Sequence, residues 1–263
     1  MSKKPSAARE DLPKQLADLS PEHRQKLDAL EQEHDVIMLA DSFESIYKMV
    51  AYHEKRREQL KEIPKFWSTV LQNDNMFLTV YGNRAEDIEA LKYLEDIWVA
   101  REKPDPRAFT IEMHFKENPF FSNKVLKKEY KLKKPHSGKV INGIYESMIT
   151  FNPERDTAIG KMKIDWKNDK VNLCKKYPPP PPAKEDDMEL EDMGSFFNFF
   201  ELPEDELAIG DRLAQEIFIN PISYFKGETE DDDDDEDIDS SEDDDSDQDE
   251  IDLERPRKKV KRV

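Results

Sequence analysis

The sequence predicts an α+β body, with one long helix ahead of it and a run of carboxylates behind. Three observations carry that expectation. Apolar residues recur at alternating spacings of three and four, without Gly or Pro, from about Leu27 to Glu62. Strict two-residue alternation marks several later stretches. Between Glu228 and Glu254 lie 19 Asp or Glu and no base.

The arm at residues 1–20 is polar and weakly patterned, and Ser20-Pro21 has the form of a helix N-cap followed by a first-turn proline. Residues 21–64 follow as the helical segment. Its seam is Val36, Leu39, Phe43, Ile46, Val50, His53, Arg57 and Leu60. At about 1.5 Å per residue such a helix is about 50 Å long, and a seam of that length needs a partner. Six acids (Asp28, Glu31, Glu33, Asp35, Asp41, Glu44) and no base occupy 28–44. Five bases against two acids occupy 45–61. Two antiparallel copies set acid against base, whereas a parallel pair sets like against like. The seam residues are therefore expected at the axis of an antiparallel homodimer.

Residues 65–227 read as the α+β domain. Pro64 bends the chain, and Phe66, Trp67, Val70 and Leu71 mark a short apolar helix; Arg84 to Leu91 marks another. Phe109, Ile111, Met113 and Phe115 alternate with Thr110, Glu112 and His114 as a half-buried strand. Tyr93–Val99, Leu126–Leu132 and Met162–Trp166 are further strand candidates. An antiparallel sheet of about four strands follows, because the connections contain no crossover helix. Val140 to Phe151 fits neither period and is expected to add at most a hairpin. Pro178 to Pro182 form an extended run, either a stiff spacer or a ligand for a proline-reading domain. Phe196, Phe197, Phe199 and Phe200 are expected in the core. A last helix around Leu207, Leu213 and Ile217 ends at Asn220-Pro221.

Of the net charge of −19, the last 36 residues carry −13, leaving −6 for residues 1–227. The segment 228–254 is expected to stay solvated and unfolded. It serves either as a solubilising segment or as a mobile field for a basic protein. It repels nucleic acid, so no direct nucleic-acid specificity is expected. The basic residues Arg255, Arg257, Lys258, Lys259, Lys261 and Arg262 in 255–263 suit a nuclear import receptor, with a nucleic-acid patch as the alternative. Ser241 and Ser246 precede acids and suit an acidophilic kinase. Cys174 stands alone, which points to a reducing compartment. No apolar run reaches the length of a membrane span, and Met1 to Pro5 has no signal-peptide character. The seven glycines are scattered, and His23, His34, His53, His114 and His136 form no metal pattern with Cys174. No enzymatic activity, cofactor or metal is expected.

A set of short motifs then appears in a telling order: Ile63-Pro64-Lys65-Phe66-Trp67, Glu117-Asn118-Pro119-Phe120-Phe121-Ser122-Asn123, Ile164-Asp165-Trp166-Lys167 and Ser195-Phe196-Phe197-Asn198-Phe199-Phe200. Ala208-Ile209-Gly210-Asp211, Asn220-Pro221, Tyr224-Phe225 and the acidic run complete it. In these the chain resembles the histone chaperones of the nucleosome assembly protein / SET family, nearer the SET-like branch. The resemblance implies a homodimer on paired antiparallel helices, each chain adding an α+β "earmuff" whose acidic underside binds core histones, as the tetramer-forming pair, the flanking-dimer pair or both. It places Glu201, Glu204, Asp205 and Glu206, with Asp231, Asp232, Asp233, Asp234 and Asp235, on that histone-binding surface. It implies a nuclear protein that shuttles with the cytoplasm and delivers histones in nucleosome assembly. The alternative it implies is a regulatory partner of a histone acetyltransferase or a phosphatase.

Overall fold

The computed structural model describes residues 19–180, 193–205 and 207–228. The chain opens with α1 (Pro21–Lys48) and α2 (Val50–Leu60), then α3 (Phe66–Gln72), α4 (Asn75–Tyr81) and α5 (Ala85–Leu91). Strands β1 (Leu94–Arg101), β2 (Phe109–Phe115) and β3 (Val125–Leu132) lead to a small hairpin, β4 (Val140–Ile141) and β5 (Ile144–Tyr145). Then come α6 (Glu146–Ile149), α7 (Pro153–Asp156), β6 (Thr157–Ile159), α8 (Leu173–Lys176), α9 (Asn198–Glu201), α10 (Ile209–Arg212), a π turn at Leu213–Ile217 and α11 (Pro221–Lys226). Among the described residues no helix is long and apolar enough to cross a membrane.

The helical rod starts six residues earlier than its apolar pattern. Ser20 caps it by accepting the His23 amide at 3.3 Å, and Pro21 fills the first position. Met49 separates α1 from α2, yet Met49 donates to the Ser45 carbonyl and accepts from the His53 amide, so the rod continues. The seam is turned towards the chain's own body. Val36 and Phe43 pack with Ile144 and Met148 of the 140–149 segment, and Leu39 joins them at the edge. Farther along, His53 meets Phe218 edge-on at 4.9 Å, Leu60 enters the main core, and Arg57 pairs with Asp96 at 2.5 Å. Val36, Phe43, His53 and Leu60 are 1%, 6%, 8% and 6% exposed. Of the expected dimer seam, Val36, Phe43, His53 and Leu60 are thus covered by their own chain, while Leu39, Ile46 and Arg57 stay half-buried. Of those eight residues Val50 remains exposed. A different stripe of the rod faces solvent, namely Leu27, Leu30, Ile37, Met38, Met49 and Tyr52.

The 140–151 stretch owes its place to Arg107. Its guanidinium lies 4.0 Å from the Phe151 ring and 5.2 Å from Phe43, and it donates to the Met148 carbonyl and to buried Asp105. One cation thereby ties the turn after β1 to the hairpin and the rod.

The sheet is antiparallel throughout, in the order β1-β2-β3-β6. Ile97, Val99, Phe109, Ile111, Met113, Phe115 and Leu126 fill its inner face. The fourth strand is 157–159, not 162–166. Met162, Ile164 and Trp166 do alternate in burial with Lys163 and Asp165, which is why they read as a strand. Their backbone goes elsewhere: the Met162 amide donates to Phe200, the Ile164 amide to the Glu201 carboxylate, and only a single bridge joins Trp166 to Phe121. Burial with period two does not require a hydrogen-bonded ladder.

Phe196, Phe197 and Phe200 are fully buried and Phe199 nearly so. Asp87, wholly buried on α5, holds this knot by accepting the Ser195 hydroxyl at 2.7 Å and the Phe196 amide at 2.9 Å. The body closes after α11 at Gly227.

His53 sits at the joint between rod and body. Burial first, then the charges of Arg56 and Arg101, push its imidazole down to about 4. It is neutral in the folded chain, while an unfolded chain binds its proton below about pH 6.5. Its contribution is whole above about pH 6.5 and is lost as pH falls towards 4, by about 3 kcal/mol. Urea unfolding at pH 7.5 and pH 5 should show about 2 kcal/mol of this loss, pH 5 being still above the folded pKa. In His53→Gln the difference between the two pH values should shrink; an unchanged difference would place the titration on another group.

Candidate functional site

The turn from Glu201 to Arg212 holds the body carboxylates expected to face a partner. It is built on two residues of β3. Alternation along the strand turns Lys128 and Tyr130 inward, the opposite face from Lys127 and Glu129. Lys128 is wholly buried, and its ammonium donates to the carbonyls of Leu202 at 2.6 Å and Glu204 at 3.3 Å, 5.1 Å from the Phe199 ring. Burial draws its pKa down to about 8, against the opposing charges of Asp205 and Glu204. Tyr130 donates its hydroxyl to the Asp205 carboxylate at 2.5 Å. The same carboxylate accepts the amides of Ile209 and Gly210, each at 2.8 Å, and so caps α10.

Two of the expected contact residues are therefore structural. Asp205 has its oxygens engaged by Tyr130, Ile209 and Gly210. Glu201 accepts the Ile164 amide at 3.1 Å and the Trp166 indole N–H at 3.2 Å. Asp205, with both oxygens taken by internal donors, has little left for a partner, whereas in Glu201 both bonds fall on Oε1. Glu204 differs: its carbonyl serves Lys128 while its side chain is exposed. Asp211 is also exposed, and its carboxyl is held above the usual range by partial burial, then by the charge of Asp205, with Arg101 opposing. Asp211 stands in the Ala208-Ile209-Gly210-Asp211 motif, but only the fold brings it to the Asp205 turn. Glu206, Asp231 to Asp235, Ser241, Ser246 and the bases Arg255 to Arg262 lie outside the described residues.

Cys174 is buried and its thiol is pushed up by burial, then by the charge of Glu201 and a hydrogen bond to it. His114 lies 3.3 Å from both Arg57 and Glu112 on the outer face of the sheet. Among the described residues no His, Cys, Asp or Glu group is arranged to hold a metal ion. The site is thus a carboxylate-bearing surface around a rigid turn, suited to attracting cations.

Comparison with known proteins bears on the family and the fold. The nucleosome assembly protein family matches residues 3–254. Nucleosome assembly protein 1-like 3 of Mus musculus is 29% identical over 197 residues, 67% of this chain and 34% of that protein. Nucleosome assembly protein 1;1 of Arabidopsis thaliana is 29% identical over 201 residues, 66% of this chain and 49% of its own length. The chain thus spans between a third and a half of these relatives. Among solved structures, Ccp1 superimposes with a TM-score of 0.54 at 23% identity, covering 78% of this chain and 94% of that one. Nucleosome assembly protein S of Plasmodium falciparum gives 0.54 at 18% identity, covering 77% and 95%. Rod and sheet domain are a shared fold.

Proposed function

We propose that this chain, which belongs to the nucleosome assembly protein family, is a histone chaperone of chromatin, active as an antiparallel homodimer in the nucleus. The observation that carries the reading is one family match running through the body and the acidic run together, residues 3–254. Binding rests on the exposed carboxylates of Glu204 and Asp211 and on the 19 acids of 228–254, Asp231 to Asp235 among them. Each exposed ion pair contributes about 0–1 kcal/mol, so affinity comes from many together and falls with salt. Carboxylates occupy histone charge that would otherwise meet DNA indiscriminately. The histone leaves when DNA offers a denser, better-fitting array of phosphates. That transfer runs downhill and needs no nucleotide. The bases of 255–263 act in nuclear import.

Retention of the two core histone pairs on the immobilised full chain, followed across a salt series, tests this. Both pairs should be held at low salt and released as salt rises. Changing Asp231 to Asp235 together to Asn should weaken retention about tenfold, since five contacts of roughly 0.3 kcal/mol are removed. Glu204→Gln with Asp211→Asn should weaken it further. If neither pair is retained at moderate salt, the chaperone reading fails.

A further inference from the structure

The stretch that ends β3 and leads into the small hairpin is basic in an otherwise acidic chain. Lys131, Lys133, Lys134 and Lys139 fall within nine residues that contain no acid. All four are exposed, and so is Ser137 among them. Ser137 has Lys133 and Lys134 four and three residues before it and Lys139 two after it. Lysines at those offsets suit a kinase whose substrate cleft carries carboxylates on both sides of the acceptor serine. That is the reverse of the acidic setting of Ser241 and Ser246.

The same loop seats the hairpin segment on the rod. Ser137 donates its amide to the Ser147 hydroxyl oxygen at 2.9 Å and accepts the Ser147 amide at 3.2 Å. The Lys139 carbonyl accepts the Glu146 amide at 2.9 Å. Beside Ser137, the His136 ring stacks on Tyr145 and lies 2.9 Å from buried Asp105 and 3.3 Å from the Ser147 hydroxyl. These contacts fix the start of α6, whose Met148 packs on Val36 and Phe43 of the rod. A kinase needs several residues around the acceptor in extended form. The His136 side chain, directly before the acceptor, is only 8% exposed and cannot enter a cleft while it is seated. Transfer therefore waits on a local opening in which the loop leaves Ser147 and Asp105.

Once made, the phosphate opposes the return. A Cβ on Gly138, the next residue, would stand 2.8 Å from the Glu146 carboxylate, so Glu146 lies against the loop. Re-seating brings a phosphate of about −1.5 to −2 charges towards that carboxylate, one residue from the His136–Asp105 contact. In the lifted loop the phosphate meets Lys134 and Lys139 instead.

We propose that Ser137 is a phosphorylation site for a basophilic kinase, reached when the 133–139 loop lifts, and that the phosphate keeps the loop unseated and loosens the 140–149 segment on the rod. In the transfer Ser137 Oγ forms a bond to the γ-phosphorus of ATP, the bond from that phosphorus to the ADP oxygen breaks, and the hydroxyl proton leaves to the kinase base. The seated loop and the phosphorylated loop thus exclude each other, which makes the modification a switch on the hairpin's hold.

The test treats the full chain with ATP and a purified kinase that selects Lys or Arg before and after serine, and maps the phosphate by mass spectrometry. Ser137 should be modified, and Lys134→Ala with Lys139→Ala should slow it about tenfold. Ser147→Ala should speed it about threefold by freeing the loop, while Ser147→Thr, which keeps the hydroxyl, should not. In the phosphorylated chain the amides of Ser137, Glu146 and Ser147 should exchange about tenfold faster with solvent deuterium. Phosphate on other serines but never on Ser137 overturns the site. If Ser147→Ala leaves the rate unchanged and those amides exchange as before, the coupling to the hairpin is overturned.

Discussion

Gly210→Ala is expected to cost about 4 kcal/mol. A Cβ on Gly210 would overlap the Tyr130 hydroxyl and ring. The ring cannot retreat: it is 5% exposed, stacks on Phe109 at 4.5 Å, and donates its hydroxyl to Asp205. Relief therefore comes only by moving α10, which pulls the Gly210 amide off the Asp205 carboxylate. Overpacking costs about 1–3 kcal/mol, and a hydrogen bond to a charged group adds about 1.5–3 kcal/mol. Gly143→Ala is the control. Its φ of 82° strains any side chain, but no atom lies within 4 Å of the new methyl, so about 1 kcal/mol is expected. Urea midpoints of the two variants should differ accordingly; equal losses would show that the Tyr130 contact is loose.

Arg56→Met should destabilise by about 3 kcal/mol, although it keeps much of the apolar stem. Arg56 is 5% exposed and bonds the carbonyls of Phe218 and Ile219, while its guanidinium lies 4.9 Å from the Phe218 ring. Methionine leaves the buried Phe218 carbonyl without a donor, at about 1–3 kcal/mol, and the part-buried Ile219 carbonyl at less. Lysine should recover only part of the loss, because one ammonium cannot reproduce the planar fork. Hydrogen exchange should rise first at the π turn and α11. If exchange there is unchanged, the joint is held by packing alone.

The reading of residues by pattern succeeded where one local rule decided the outcome. Ser20-Pro21 starts a helix in isolation as it does here, and the Phe109–Phe115 alternation needs only a sheet with one buried face. Patterns failed where two structures share a periodicity. Met162 to Trp166 alternates as a strand does, but its amides are taken by Phe200 and the Glu201 side chain. Glu201 and Asp205 read as surface acids beside a Phe cluster. Nothing local reveals that Trp166 and Tyr130, 35 and 75 residues away, donate to them. Lys128 follows Lys127 in sequence and looks as wet, yet the strand's two faces send one into solvent and the other beneath Leu202.

By itself the sequence determined the rod, the sheet, the family motifs and the acidic run, because each depends on spacing, composition or order along the chain. The tertiary structure alone decided which face of the rod is free, which carboxylates are engaged, and where 140–149 docks. Those outcomes depend on what covers a surface, and a heptad records only that a stripe is apolar. Here the covering segments come from Ile144, Met148 and Phe218, at least 101 residues beyond Val36, Phe43 and His53, the rod positions they bury.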